Sequence, residues 1–99
     1  MKIPEKIRIG GVDHPVSYEE RLNDGEHMLR GQINYCTNEI KLLPDHKGSQ
    51  GELQTLWHEI VHGICQHFDM DIRDNEDIVD KLAKGVYMVI ADNPDMFVG

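Results

Sequence analysis

Two histidines four residues apart, with a glutamate beside the first, form the stretch of this sequence best suited to chemistry: His58-Glu59-Ile60-Val61-His62. On a helix, residues four apart sit one above the other on one face, so His58 and His62 can direct two imidazoles at one ion. Glu59 flanks that ion from the next position round. Zinc takes imidazole nitrogen readily, and a catalytic zinc site uses three protein ligands and keeps one position for water. The pattern therefore predicts zinc, a third ligand elsewhere in the chain, and a carboxylate, Glu59, to handle the water's proton.

Three positions compete to be that third ligand. An extended motif with a glycine and a further histidine fails, because Cys65 and Phe68 stand at those places. His67 lies five residues past His62, about 140° round a helix, and points away. Glu76 opens a later apolar-periodic segment in Glu76-Asp77-Ile78-Val79-Asp80, with Asp77 as a lesser alternative. An acid at a helix start also answers the helix dipole without any metal. Against that plain role, Glu76, Asp80, Ala83 and Tyr87 share one helical stripe, so Asp80 can accept the second N–H of a ligating imidazole. Tyr87, about 16 Å further along the axis, is expected to serve packing. Asp69 and Asp71 read as solvated loop carboxylates.

The elements that must position these groups follow from hydrophobic period and turn signals. Ser49-Gln50-Gly51-Glu52 matches a capping box, and Leu53, Leu56, Trp57, Ile60, Ile64 and Phe68 then recur at three- and four-residue spacing, widened by Val61. That stripe should dock on a sheet, leaving the histidines on a less apolar face with Gln54, Thr55, Cys65 and Asp69. Gly63 inside the helix costs about 1 kcal/mol relative to alanine, which implies close packing by another segment. A second helix is expected from Glu76 to Ala91, capped by Asp74 or Asn75, with Ile78, Val79, Leu82, Ala83, Val86, Val89 and Ile90 in the core and Asp92-Asn93-Pro94 as its stop. Upstream, Ile7 to Ile9 and Val12 to Tyr18 flank Gly10-Gly11 as a hairpin whose second arm, holding Pro15, should be an edge. After an Asn23-Asp24-Gly25 turn, Gly31 to Cys36 and Glu39 to Leu43 form a second hairpin about Thr37-Asn38, and Asp45 to Gly48 connects it to the first helix.

With 99 residues, the chain supports one domain, 1–99, of modest core. Its net charge of −8 opposes a nucleic-acid backbone as partner. No apolar run is long enough to cross a bilayer, so no membrane is expected. The N-terminus lacks the apolar run of a secretory signal, and a cytoplasmic location is expected. Cys36 and Cys65 form no C-x-x-C pair and read as buried thiols.

His58-Glu59-x-x-His62 followed by Glu76-x-x-x-Asp80 resembles the gluzincin metallopeptidases. The short chain with two hairpins, one motif helix and a following helix resembles the minimal members of that group. Those are small bacterial or prophage-encoded proteins related to the ImmA/IrrE type of metallo-endopeptidase. The resemblance spans roughly residues 31 to 94. It implies an α+β domain: a small antiparallel sheet packed on the motif helix and a C-terminal ligand-bearing helix. It implies zinc held by His58, His62 and Glu76, with Glu59 as general base and a peptide or protein as substrate. By the same analogy, Glu39 to Leu43 is the strand along which an extended peptide pairs. The gap from His62 to Glu76 is shorter than in larger gluzincins, and no second His or Arg follows to stabilise a transition state. The rival readings are a zinc-stabilised binding or regulatory module without turnover, and a metal-free prophage interaction protein. Neither the cleaved sequence nor the oligomeric state is written in the motif.

Overall fold

The computed structural model describes residues 2–22, 29–44 and 50–97. The elements run β1 (Lys6–Ile9), β2 (Val12–Tyr18), β3 (Gly31–Asn34), β4 (Glu39–Leu42), α1 (Gln50–His67) and α2 (Glu76–Asp92), with short 3-10 turns at Asp71–Asp74 and Pro94–Phe97. The Asn23-Asp24-Gly25 turn, the Asp45 to Gly48 connection and Ser49 of the expected capping box lie outside the described residues. Among the described residues, no helix is long and apolar enough to cross a membrane.

Both hairpins form. Gly10 and Gly11 each adopt positive φ, 59° and 80°, the conformation a two-residue turn needs to match strand twist. The first arm of the second hairpin stops two residues earlier than its alternation suggested, with β3 ending at Asn34 and a four-residue turn over 35–38. Asn34 causes this: its Oδ1 accepts the N–H groups of Cys36 at 2.9 Å and Thr37 at 3.2 Å. Asn38 completes the turn at φ 62°, which asparagine tolerates better than most residues. Cys36 is consequently exposed rather than buried, while Cys65 is buried as expected; both thiols are free.

The sheet is mixed, correcting the antiparallel expectation. Its order is β1-β2-β4-β3, and β2 and β4 run parallel in the register Val16↔Ile40, Ser17↔Lys41, Tyr18↔Leu42. Strand β2 is therefore interior despite Pro15. It pairs with β1 through residues 12–15 and with β4 only from Val16 onward. Because Val16 donates its N–H back to Glu5 at 2.8 Å, the position before it would donate to the opposite side, where β4 has not yet begun to pair. Proline's missing donor therefore costs no ladder bond there. Strand β4 is also interior, so it offers no free edge to a peptide; that edge belongs to β3.

Helix α1 lies between the sheet and α2. Leu56 and Ile60 join Ile9, Ile40 and Leu42 in one buried cluster, while Val61 and Cys65 meet Val79 and Ala83 in a second, with Trp57 packed against both. Gly63 answers the expectation of a close neighbour, since a Cβ there would stand 2.8 Å from Ile9 Cδ1 and 3.2 Å from Ile33 Cδ1. Ile64 and Phe68, expected in the core, are exposed. The helix stops in a Schellman arrangement, Met70 N–H to Cys65 C=O at 2.9 Å and Asp69 N–H to Gln66 C=O at 3.3 Å, with Asp69 at φ 51°.

Helix α2 begins where expected, with the side chain of Asn75 accepting the Ile78 N–H. Its buried stripe is narrower than expected: Val79, Ala83 and Tyr87 are buried, whereas Ile78, Leu82, Val86 and Val89 are exposed. Helix α1 offers α2 a single contact strip, and residues one position round from 79, 83 and 87 turn outward by about 100°. Leu42→Ala, at 1% exposure, should lower stability by about 2–5 kcal/mol. Leu82→Ala, at 46% exposure, should change it by no more than about 0.5 kcal/mol; urea unfolding of both variants measures the contrast.

Candidate metal centre

The helical period places His58 and His62 on one face of α1, between the strip that meets the sheet and the strip that meets α2. Packing of Val61 and Cys65 on Val79 and Ala83 then brings the first turn of α2 beside them. His58 Nε2 stands 2.9 Å from Glu76 Oε2, His62 Nε2 stands 3.0 Å from Glu76 Oε1, and the two Nε2 atoms are 3.1 Å apart. Three ligand-type side chains therefore turn their donor atoms to one point, and together they could hold a metal ion. Ligand atoms at about 2.1 Å from a tetrahedral ion stand about 3.4 Å apart. The observed separations are slightly tighter, so a small outward shift of each group seats an ion.

The surroundings treat the two imidazoles differently. His58 Nδ1 faces Asp80 Oδ1 at 3.3 Å, and Lys84 holds the other oxygen of Asp80 at 2.9 Å. Lys84 and then His58 keep the Asp80 carboxyl below the usual carboxylate range, against the opposing effect of burial. Asp80 thus occupies the position that orients a ligating imidazole. Nδ1 of His62 is buried with no hydrogen-bond partner among the described residues, which leaves Nε2 as the atom through which that ring can engage a ligand. His67 ends α1 on another side of the helix, edge-on to Phe68 and against Gly10. Asp77 pairs with Lys81 at 3.0 Å and does not join the group.

Glu59 is buried beside the histidines, at 5% exposure. Burial pushes its carboxyl from 4.5 up to about 7, an effect that nearby His58 opposes and Glu76 reinforces. A cation bound at the adjacent donors would favour the ionised form. A carboxylate near neutrality next to three ligand atoms can exchange a proton with water held between them.

A cleft of about 660 Å³ opens over these residues, between β3 and the start of α2. Sequence reasoning missed four of the residues that shape it: Arg30, Gly31, Tyr35 and Lys84. Gly31 is the one with a readable signal, because a glycine inside a strand pattern often marks close backbone approach. A Cβ at Gly31 would stand 2.6 Å from Thr55 Cγ2 and 3.2 Å from Glu59 Oε2, so only glycine lets β3 pass over α1 at this point. Tyr35 lies on the turn after β3, where burial and then Glu59, Asp74, Cys65 and Glu76 push its phenol up to about 12. It stays a hydrogen-bond donor at neutral pH. No family model, curated protein or solved structure matches the chain.

Glu76→Ala should weaken metal binding sharply, Asp80→Asn by about 10- to 100-fold, and His67→Ala not at all; competition against a chromophoric chelator ranks the three. The Glu59 shift makes a separate statement about the metal-free protein. Its folded-state carboxyl, raised from 4.5 to about 7, binds a proton that the unfolded chain releases. That contribution to stability is fully present below 4.5 and is lost as pH rises through about 7. Urea titrations in chelator at about pH 5 and about pH 8 should show this loss in the wild type and its absence in Glu59→Gln.

Proposed function

We propose that the protein is a zinc-dependent metallopeptidase of the minimal gluzincin kind, acting on a peptide or protein substrate. The observation that carries this reading is the convergence of His58, His62 and Glu76, with separations of 2.9 to 3.1 Å, beside the buried Glu59. The donor set, two imidazoles and one carboxylate, is one that zinc takes in hydrolytic sites. When bound, zinc supplies a Lewis acid that lowers the pKa of water toward about 7 and polarises a carbonyl.

The chain's own residues do the rest. His58, His62 and Glu76 hold the ion, and Asp80, braced by Lys84, fixes the ring of His58. Glu59 takes a proton from the attacking water and returns it to the leaving amine. An extended peptide can add to the sheet along β3, whose outer edge pairs with no strand among the described residues. Gly31 brings that edge against Glu59, so a bound backbone lies within reach of the general base. A cleft polar on its helix side and bordered by a free strand edge suits a main chain better than a compact small molecule.

Purified protein should contain about one zinc per chain, lost in His58→Ala. Glu59→Gln should keep its zinc yet cleave a denatured-protein substrate about 10²- to 10⁴-fold more slowly. If the wild type cleaves no faster than that variant while both hold zinc, the peptidase reading gives way to a zinc-stabilised binding module.

A further inference from the structure

The cleft divides its charges unevenly. Among the described residues, four acids line it, Glu59, Asp74, Glu76 and Asp80, against two basic side chains, Arg30 and Lys84. Lys84 is engaged by Asp80 at 2.9 Å. Arg30 is exposed and makes no ion pair or side-chain hydrogen bond among the described residues. Among the described residues that line the cleft, Arg30 is therefore the one basic side chain with no acid beside it, in a chain of net charge −8.

Its place in the fold gives that cation a position relative to the chemistry. Arg30 immediately precedes β3, and its carbonyl accepts the Leu43 N–H at 2.8 Å, which carries the β3–β4 ladder one step further. The backbone there is fixed. The next residue, Gly31, is the point at which β3 touches Glu59. A peptide lying along β3 advances about 3.3 Å per residue, so the bond presented to Glu59 and the residue presented to Arg30 are close neighbours.

We infer that Arg30 selects peptides carrying a carboxylate within one or two residues of the cleaved bond. This inference rests on the peptidase reading and names its substrate class. The carboxylate is either an Asp or Glu side chain or the peptide's own C-terminus; both suit the planar fork of a guanidinium.

The test is a set of fluorogenic peptides in which one glutamate, or glutamine as its neutral match, is walked through every position, each made with a free and an amidated C-terminus. Zinc-loaded wild type should prefer glutamate at one position, or the free C-terminus, by roughly tenfold in kcat/KM, the size expected for one partly exposed charged hydrogen bond. Arg30→Gln should abolish that preference and Arg30→Glu should invert it. Both should keep wild-type zinc content and urea stability, because the side chain is exposed and the carbonyl bond to Leu43 does not depend on it. Loss of preference on moving the glutamate identifies a side-chain carboxylate; loss on amidation identifies the terminus. An equal preference in wild type and Arg30→Gln, or none in either, overturns the inference while leaving hydrolysis itself intact. Anisotropy of the same peptides on zinc-loaded Glu59→Gln, with and without Arg30→Gln, separates the two proposals. A charge preference in binding that Arg30→Gln removes, with no turnover by the wild type, upholds the selection and sinks the peptidase reading. Absence of any peptide binding or cleavage sinks both.

Discussion

The packing of Val61 and Cys65 of α1 against Val79 and Ala83 of α2 is the contact on which the rest depends. Each of those side chains is small, so the helices approach closely, and Glu76 at the start of α2 reaches both motif imidazoles. Moving α2 outward by the width of one methylene would take its carboxylate out of range of one ring or both. The apolar strip is narrow, and it is set one helical position away from the polar one. Hydrophobic burial holds the helices together, and the register of that burial decides where the polar groups meet.

Gathering three ionisable groups and a fourth buried carboxylate in one place runs against the ordinary partition of a small domain. A buried carboxylate costs free energy unless it is neutral or paired. The fold meets this by leaving Glu76 largely exposed, by giving His58 a braced acceptor in Asp80, and by letting Glu59 hold its proton to about 7. The imbalance that remains is concentrated at Glu59 and at the unpartnered Nδ1 of His62. Polar strain of this kind is ordinarily found where chemistry or ligand binding uses it.

Local features of the chain were readable from sequence; non-local ones were not. Helix spacing placed His58, Glu59 and His62 on α1, and the same period put Glu76 and Asp80 on one stripe of α2, where the structure brings both to His58. Asn75 capped as a short polar side chain before an apolar period should. What failed were judgements that need to know the neighbour. Pro15 suggested an edge because proline weakens ladders, yet β2 changes partner at that residue and escapes the cost. Apolar composition put Ile78, Leu82, Val86 and Val89 in a core, but among the described residues α2 lies mainly on α1, with only the short 3-10 turns beside it. Cys36 looked like a buried thiol until the side chain of Asn34 turned the chain before it. Gly31 carried a signal that was legible and passed over. Asp69 carried none, since an aspartate in a left-handed cap resembles any loop acid.

The parallel pairing of β2 with β4 bears on how the sheet comes together. Each hairpin joins near neighbours along the chain, whereas the seam at Val16↔Ile40, Ser17↔Lys41 and Tyr18↔Leu42 joins residues 24 positions apart through only three pairs. Closing that larger loop costs more entropy than either turn, and so short a ladder repays little of it. Helix α1 lies across the seam, where Leu56 and Ile60 reach Ile9 of one hairpin and Ile40 and Leu42 of the other. The helix that carries the histidines is thereby the clasp that makes two hairpins into one cooperative unit.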